Sequence, residues 1–432
     1  MLFPISIAQN RSSTSGLWYA SYNYAMPVPP KVLAILPGFV PSTFLNVIKP
    51  FLALQKAGVV EFRTNLEAYL RPGDLNWPDL VVFCRNTEPV FTPVLDMVLQ
   101  KNIPYVYDLD DNLFEIPLDT DLGRYHRTPQ RLELLSRYIQ QAQLVRVYSQ
   151  PLAARASTLN PATVQVEAAI DWETIQPRPR STGQPVQIVY ATSRTEDRLA
   201  QIFLPAIGQI LVDFAGQVEM NFWGYLPTEL AGRPGVRHLR PLQNYNEFMQ
   251  RFSGMGFDIG LAPLLDDEFH RSKTNNKFRE YGACQIAGVY SNVETYSRYI
   301  TDGETGLLVE NTPAAWLNGL TRLIMDVELR QKIARQALAY IQQHYGQDAY
   351  LQVWQSQVQD VLSKAAFNPQ GDNPQKVSPE QQPAGGTQWY LQTLRRLAGR
   401  INAQTPAGLW HKLNLTASNL RFLYRINVLK RL

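Results

Sequence analysis

Short apolar runs of strand length alternate with longer stretches of helical period along most of the chain. The first set of short runs covers 31–37 (KVLAILP), 59–63, 79–84 (DLVVFC), 105–109 and 144–148 (LVRVY). Helical spacing of apolar residues fills 43–57, 92–101 and 130–142 between them. The scheme restarts with runs at 186–190, 219–223, 236–239, 258–263, 288–291 and 306–309, separated by helical stretches at 198–214, 245–252, 273–284 and 313–325. Near-continuous apolar strands divided by helices predict parallel sheets covered on both faces. The expected class is α/β, with two Rossmann-like doubly wound domains facing a cleft and a helical tail.

The punctuation sets the boundaries. Residues 1–30 show no period and read as an extension, 31–175 as the first domain and 176–345 as the second. Residues 171–185 carry Pro177, Pro179 and Pro185, as a linker would. A long helical stretch, 327–364, breaks near Tyr345-Gly346, and its part from 346 to 364 is expected to pack back on the first domain. Residues 365–388, rich in Pro, Gln, Gly and Asn, read as a flexible linker. Apolar residues at helical spacing return in 389–432, with arginines between them.

Charge is distributed unevenly. The whole chain carries +4, but 389–432 holds eight basic residues and no acidic one, which leaves −4 for the rest. Such a tail suits an anionic membrane surface or a protein partner. Nucleic acid is not expected. Cys84 and Cys284 are far apart, without metal-ligand spacing, which fits a reducing compartment. The opening Met1-Leu2-Phe3-Pro4 has no basic region before an apolar stretch, so no secretory signal is expected. A cytoplasmic location follows, with the inner membrane face open to the tail.

Doubly wound sheets bind ligands at the carboxyl ends of their strands, and two facing sheets make a cleft. No G-x-G-x-x-G follows the run at 31 or at 186, and no G-x-x-x-x-G-K-[ST] occurs, which argues against dinucleotide and P-loop chemistry. The informative segment is 258–309. There a strand ends at Ala262-Pro263, and a helix is expected near Ser272. Lys273 and Lys277 lie four apart on that helix or its entry, with Glu280 one turn on. Free N–H groups and lysines at a helix start suit a diphosphate, and a nearby carboxylate suits a ribose diol. An exposed helix with ordinary charge pairs fits the same letters.

This segment resembles the donor-binding region of family 4 glycosyltransferases, which have the GT-B fold. The matching residues are Ser272-Lys273, Lys277-Phe278, Glu280-Tyr281-Gly282-Ala283 and 302–309 (DGETGLLV). The resemblance implies a ribose contact for Glu280 and diphosphate contacts for Lys273 and Lys277. It also implies diphosphate contacts for Ser193 and Arg194, in the loop after 186–190, although a solvated arginine would look the same. Many members carry a second glutamate eight positions earlier, where this chain has Ser272. The implied reaction is a retaining, metal-independent transfer from a nucleotide-sugar to a glycan or lipid-linked acceptor, without cofactor, in cell-surface polysaccharide synthesis.

In the first half, Gly38 after the first strand is implied to lie near the transferred group. Asp108, Asp110 and Asp111 are implied to face the acceptor, where a carboxylate would orient or deprotonate a hydroxyl. The same letters fit a helix cap with solvated acids. They also contain D-x-D, the metal-binding pattern of GT-A enzymes, so a metal-dependent GT-A transferase is an alternative. A non-catalytic glycan-binding relative is another.

Overall fold

A computed structural model describes residues 28–176, 185–192, 198–242 and 244–367. In the first domain the strands are β1 (Lys31–Leu36), β2 (Glu61–Leu66), β3 (Leu80–Cys84), β4 (Tyr105–Leu109), β5 (Leu144–Val147) and β6 (Thr163–Gln165). They form one parallel sheet in the order β2-β1-β3-β4-β5-β6. The second domain has β7 (Val186–Ala191), β8 (Val218–Trp223), β9 (Val236–Leu239), β10 (Ile259–Ala262), β11 (Ala287–Ser291) and β12 (Leu307–Val309). Its parallel sheet runs β12-β11-β10-β7-β8-β9.

The unbroken apolar strands have a direct cause. On β1, Leu33 and Ile35 enter one buried cluster while Val32, Ala34 and Leu36 enter the cluster on the opposite face. Helices cover both faces, so neither set of alternating residues meets water. On β7, Val189 and Ala191 part from Ile188 and Tyr190 in the same way. The edge strand β2 departs from this, with Glu61 and Arg63 exposed. Strand β6 shows no apolar run in the sequence because it is a half-exposed edge of three residues.

The stretch 43–57 is not one regular helix. A π-turn, Phe44–Ile48, precedes the helix Lys49–Lys56. Pro50 has no N–H, so the Asn46 carbonyl lacks its normal helical donor. That carbonyl instead accepts from the Tyr350 hydroxyl at 3.0 Å and the Trp354 indole N–H at 2.9 Å. Both belong to the last described helix, Gln347–Phe367, which follows a break after Val327–His344. Tyr350, Trp354, Val358 and Val361 fill the core of the first domain, and Trp354 lies 4.7 Å from Phe51. Residues from the far end of the described chain thus complete the first domain. No helix among the described residues is long and apolar enough to cross a membrane.

Candidate functional site

In each sheet the connections reverse direction once, between β1 and β3 and between β7 and β10. Loops diverge there and leave a crevice at the strand ends. In the second domain the crevice is a pocket of about 300 Å³, with Tyr190, Trp223 and Phe248 on its aromatic side and Lys273, Lys277 and Glu280 on its polar side. Pro41 of the first domain also lines it.

Lys277 and Glu280 lie on the helix Asn276–Ala283. The helix seats tightly on its neighbour, since a Cβ at Gly282 would meet Ile341 at 2.7 Å. Glu280 is 5% exposed. Its carboxylate is gripped at both oxygens, by Lys277 Nζ at 2.8 Å on Oε2 and by the Tyr245 hydroxyl at 3.1 Å on Oε1.

Lys273 stands off that helix. A short helix, Glu268–Arg271, ends at Ser272, and the next begins at Asn276, so the single helix expected from Ser272 is two pieces. Local side-chain bonds compete with helix continuation here. The Ser272 hydroxyl donates back to Glu268 O at 2.7 Å, four residues earlier. The break aims Lys273 at the first domain, where its Nζ lies 3.0 Å from Asp111 Oδ1. Two more bonds cross the cleft beside it. Asn112 Nδ2 donates to Ser272 Oγ at 3.2 Å, and the Ser149 hydroxyl donates to Ser272 O at 2.6 Å.

The three aspartates separate by position. Asp108 is inside β4 and shares the face of Val106, beneath the helix Gln347–Phe367. It is fully enclosed, with Arg146 Nε at 3.1 Å and the Tyr148 hydroxyl at 2.7 Å on one oxygen. Burial pushes its pKa up to about 6, against the opposing pull of Arg146 and Tyr148. The Arg146 guanidinium in turn lies 3.5 Å over the Trp354 ring. An acceptor in the cleft does not reach Asp108, which corrects its expected role. Arg146 and Tyr148 engage Asp108, and Arg85 engages Asp110, so the D-x-D pair does not present two free carboxylates side by side.

Asp110 and Asp111 lie past the strand end, and Arg85 holds both. Its guanidinium is 3.2 Å from Asp110 Oδ1 and 3.0 Å from Asp111 Oδ2, and it donates to the Ser42 hydroxyl at 3.1 Å. Burial raises the Asp110 pKa, and Arg85 is the main opposing influence. Arg85 takes a left-handed backbone conformation, φ 61°, which costs roughly 1–3 kcal/mol and persists only where the surroundings enforce it. Arg85 and Tyr245 were not legible as site residues, since neither falls in a motif. A basic residue at the carboxyl end of β3 was the available signal for the first.

Gly38 begins the loop that reaches Pro41, and its carbonyl accepts from the Thr43 hydroxyl at 2.9 Å. A Cβ at Gly38 would meet nothing within 4 Å, so packing does not demand a glycine there. Ser193 and Arg194 lie outside the described residues, although the adjacent Thr192 lines the pocket. His126 is held neutral, its pKa pushed down to about 4 by burial and by Arg85 and Arg131. His270 is tied to Asp267, whose two oxygens each lie 2.8 Å from Nδ1.

No family model matches the chain, and no curated protein sequence does. Solved structures do. An Anabaena protein, Alr3699/HepE, crystallised with UDP and glucose, shares 14% identity at a TM-score of 0.57, covering 78% of this chain and 100% of that one. Sucrose-phosphate synthase from Thermosynechococcus elongatus shares 12% identity at a TM-score of 0.57, covering 77% of this chain and 100% of that one. A Listeria monocytogenes protein described as a UDP-N-acetylglucosamine 2-epimerase shares 12% identity at a TM-score of 0.51, covering 81% of this chain and 100% of that one. The two facing parallel-sheet domains are the GT-B fold. Proteins of different chemistry share it, so the site must argue the function.

Proposed function

We propose that this chain is a glycosyltransferase of the family 4 kind, taking a sugar from a nucleotide-sugar to a glycan or lipid-linked acceptor. One observation carries the reading. The pocket at the switch point of the second sheet sets two lysines beside a buried, doubly held carboxylate, and faces an acidic loop across the cleft. The donor diphosphate lies against Lys273 and Lys277, with Ser193 and Arg194 adding to its grip, and the ribose lies on Glu280. A structural neighbour crystallised with UDP and glucose supports a uridine nucleotide. The acceptor enters from the first domain, past the Gly38 loop, with its hydroxyl near Asp110 and Asp111.

Transfer builds negative charge on the leaving diphosphate, and cations fixed in a water-poor cleft stabilise it without reorganising. Closure of the two domains limits hydrolysis of the donor. The reaction proceeds with retention and without a metal, in cell-surface polysaccharide synthesis. The tail 389–432 holds the enzyme at an anionic membrane face on the cytoplasmic side. The competing role for the tail, a protein dock, predicts equal liposome flotation with and without it.

A thermal-shift panel of UDP, GDP, ADP and their sugars tests the donor site. One nucleotide series is expected to stabilise the chain, and Lys277→Ala and Glu280→Ala are each expected to abolish that shift and most transfer. Near-normal turnover in both variants refutes the assignment. Full activity in excess chelator is expected, and its loss refutes metal independence. Binding without transfer to any acceptor would favour a glycan-binding or epimerase-like relative.

A further inference from the structure

We infer that Tyr245 is a positioning residue that makes the pocket selective for a ribose over a 2′-deoxyribose nucleotide. The inference rests on the ribose role proposed for Glu280. Tyr245 opens the helix Tyr245–Gly254, whose start is fixed by the Asn244 side chain accepting from Glu247 N at 3.1 Å. Its ring lines the pocket, and its hydroxyl donates to Glu280 Oε1 at 3.1 Å. Lys277 occupies the other oxygen at 2.8 Å.

An ionised carboxylate has about four lone-pair sites, two on each oxygen. The tyrosine and the lysine each take one from a different oxygen. One site on each oxygen is left, on a carboxylate that is 5% exposed and held from two directions. A vicinal diol offers two donors at matching separation. A 2′-deoxyribose offers one and strands the second site in a place with little water, which is costly. Burial, and then Glu280 itself, push the Tyr245 pKa well above the ordinary phenol range, so the hydroxyl stays a donor across the working pH. Without it, one oxygen is unrestrained and the carboxylate can rotate to suit a single donor.

The test is calorimetric binding of UDP, ADP and GDP, each beside its 2′-deoxy counterpart, to the full chain. Wild type is expected to favour the ribonucleotide by about tenfold or more. Tyr245→Phe keeps the aromatic wall and should shrink the ratio to under about threefold, with melting temperature retained. General loosening of the pocket would weaken both members of a pair and leave their ratio unchanged, so the ratio isolates positioning. An unaltered ratio in Tyr245→Phe, with the ratio lost in Glu280→Ala, overturns the role of Tyr245 alone. An unaltered ratio in Glu280→Ala, or no binding of any diphosphate to wild type, overturns the ribose assignment and the inference together.

Discussion

Asp111→Asn should tighten nucleotide diphosphate binding, although it removes an acid from the mouth of the pocket. Asp111 is the counter-charge of Lys273, at 3.0 Å, with 22% and 20% of the two side chains exposed. A donor diphosphate and Asp111 therefore compete for one ammonium. Fully exposed pairs are worth about 0.2–1 kcal/mol, and this partly covered pair belongs near the top of that range. Releasing Lys273 should gain about 1 kcal/mol, or roughly fivefold in Kd. Asparagine keeps the shape of the side chain, and Arg85 keeps Asp110 as a partner at 3.2 Å. Calorimetry with UDP at low and high salt gives the answer. The gain should shrink as salt screens the competing charges. A Kd that is unchanged or weaker in the variant would refute the competition and make Asp111 a support for Lys273 instead.

Glu67 should give the fold a pH dependence of its own. Burial pushes its pKa from 4.5 up to about 8, with the Asn86 hydrogen bond opposing and Glu88 adding. A folded pKa above the unfolded one means stability is full below about pH 4.5 and falls as pH rises toward 8, by up to about 5 kcal/mol. Glu67→Gln should flatten that slope in denaturant melts at pH 5 and pH 8, and an identical slope in both proteins would contradict it. Trp354→Ala should cost about 3–5 kcal/mol, because it opens a cavity beside Phe51 and removes one of the two donors to the Asn46 carbonyl. A loss below about 1 kcal/mol would mean the last helix does not hold the first domain together.

Periodicity by itself determined the architecture. Among the described residues, eleven of the twelve strands overlap runs read from the sequence. The central ones are legible because a strand covered on both faces is apolar at nearly every position, whereas the edge strands β2 and β9 keep exposed polar residues. Lys277 and Glu280 were legible together for a similar reason, since three residues along a helix is a fixed spacing. Tertiary structure decided the rest. Asp108, Asp110 and Asp111 are almost one word in the sequence, yet the pleat of β4 sends Asp108 inward to Arg146 and Tyr148 while the other two meet Arg85. Lys273 reads as a helical partner of Lys277, but the break between the two helices turns it to Asp111, 162 positions away. Tyr245 carries no motif and acquires its place only when its helix packs beside Glu280. Local spacing fixes what one element can present, whereas charge partners across a cleft depend on how separate elements meet, and no pattern within either element encodes that.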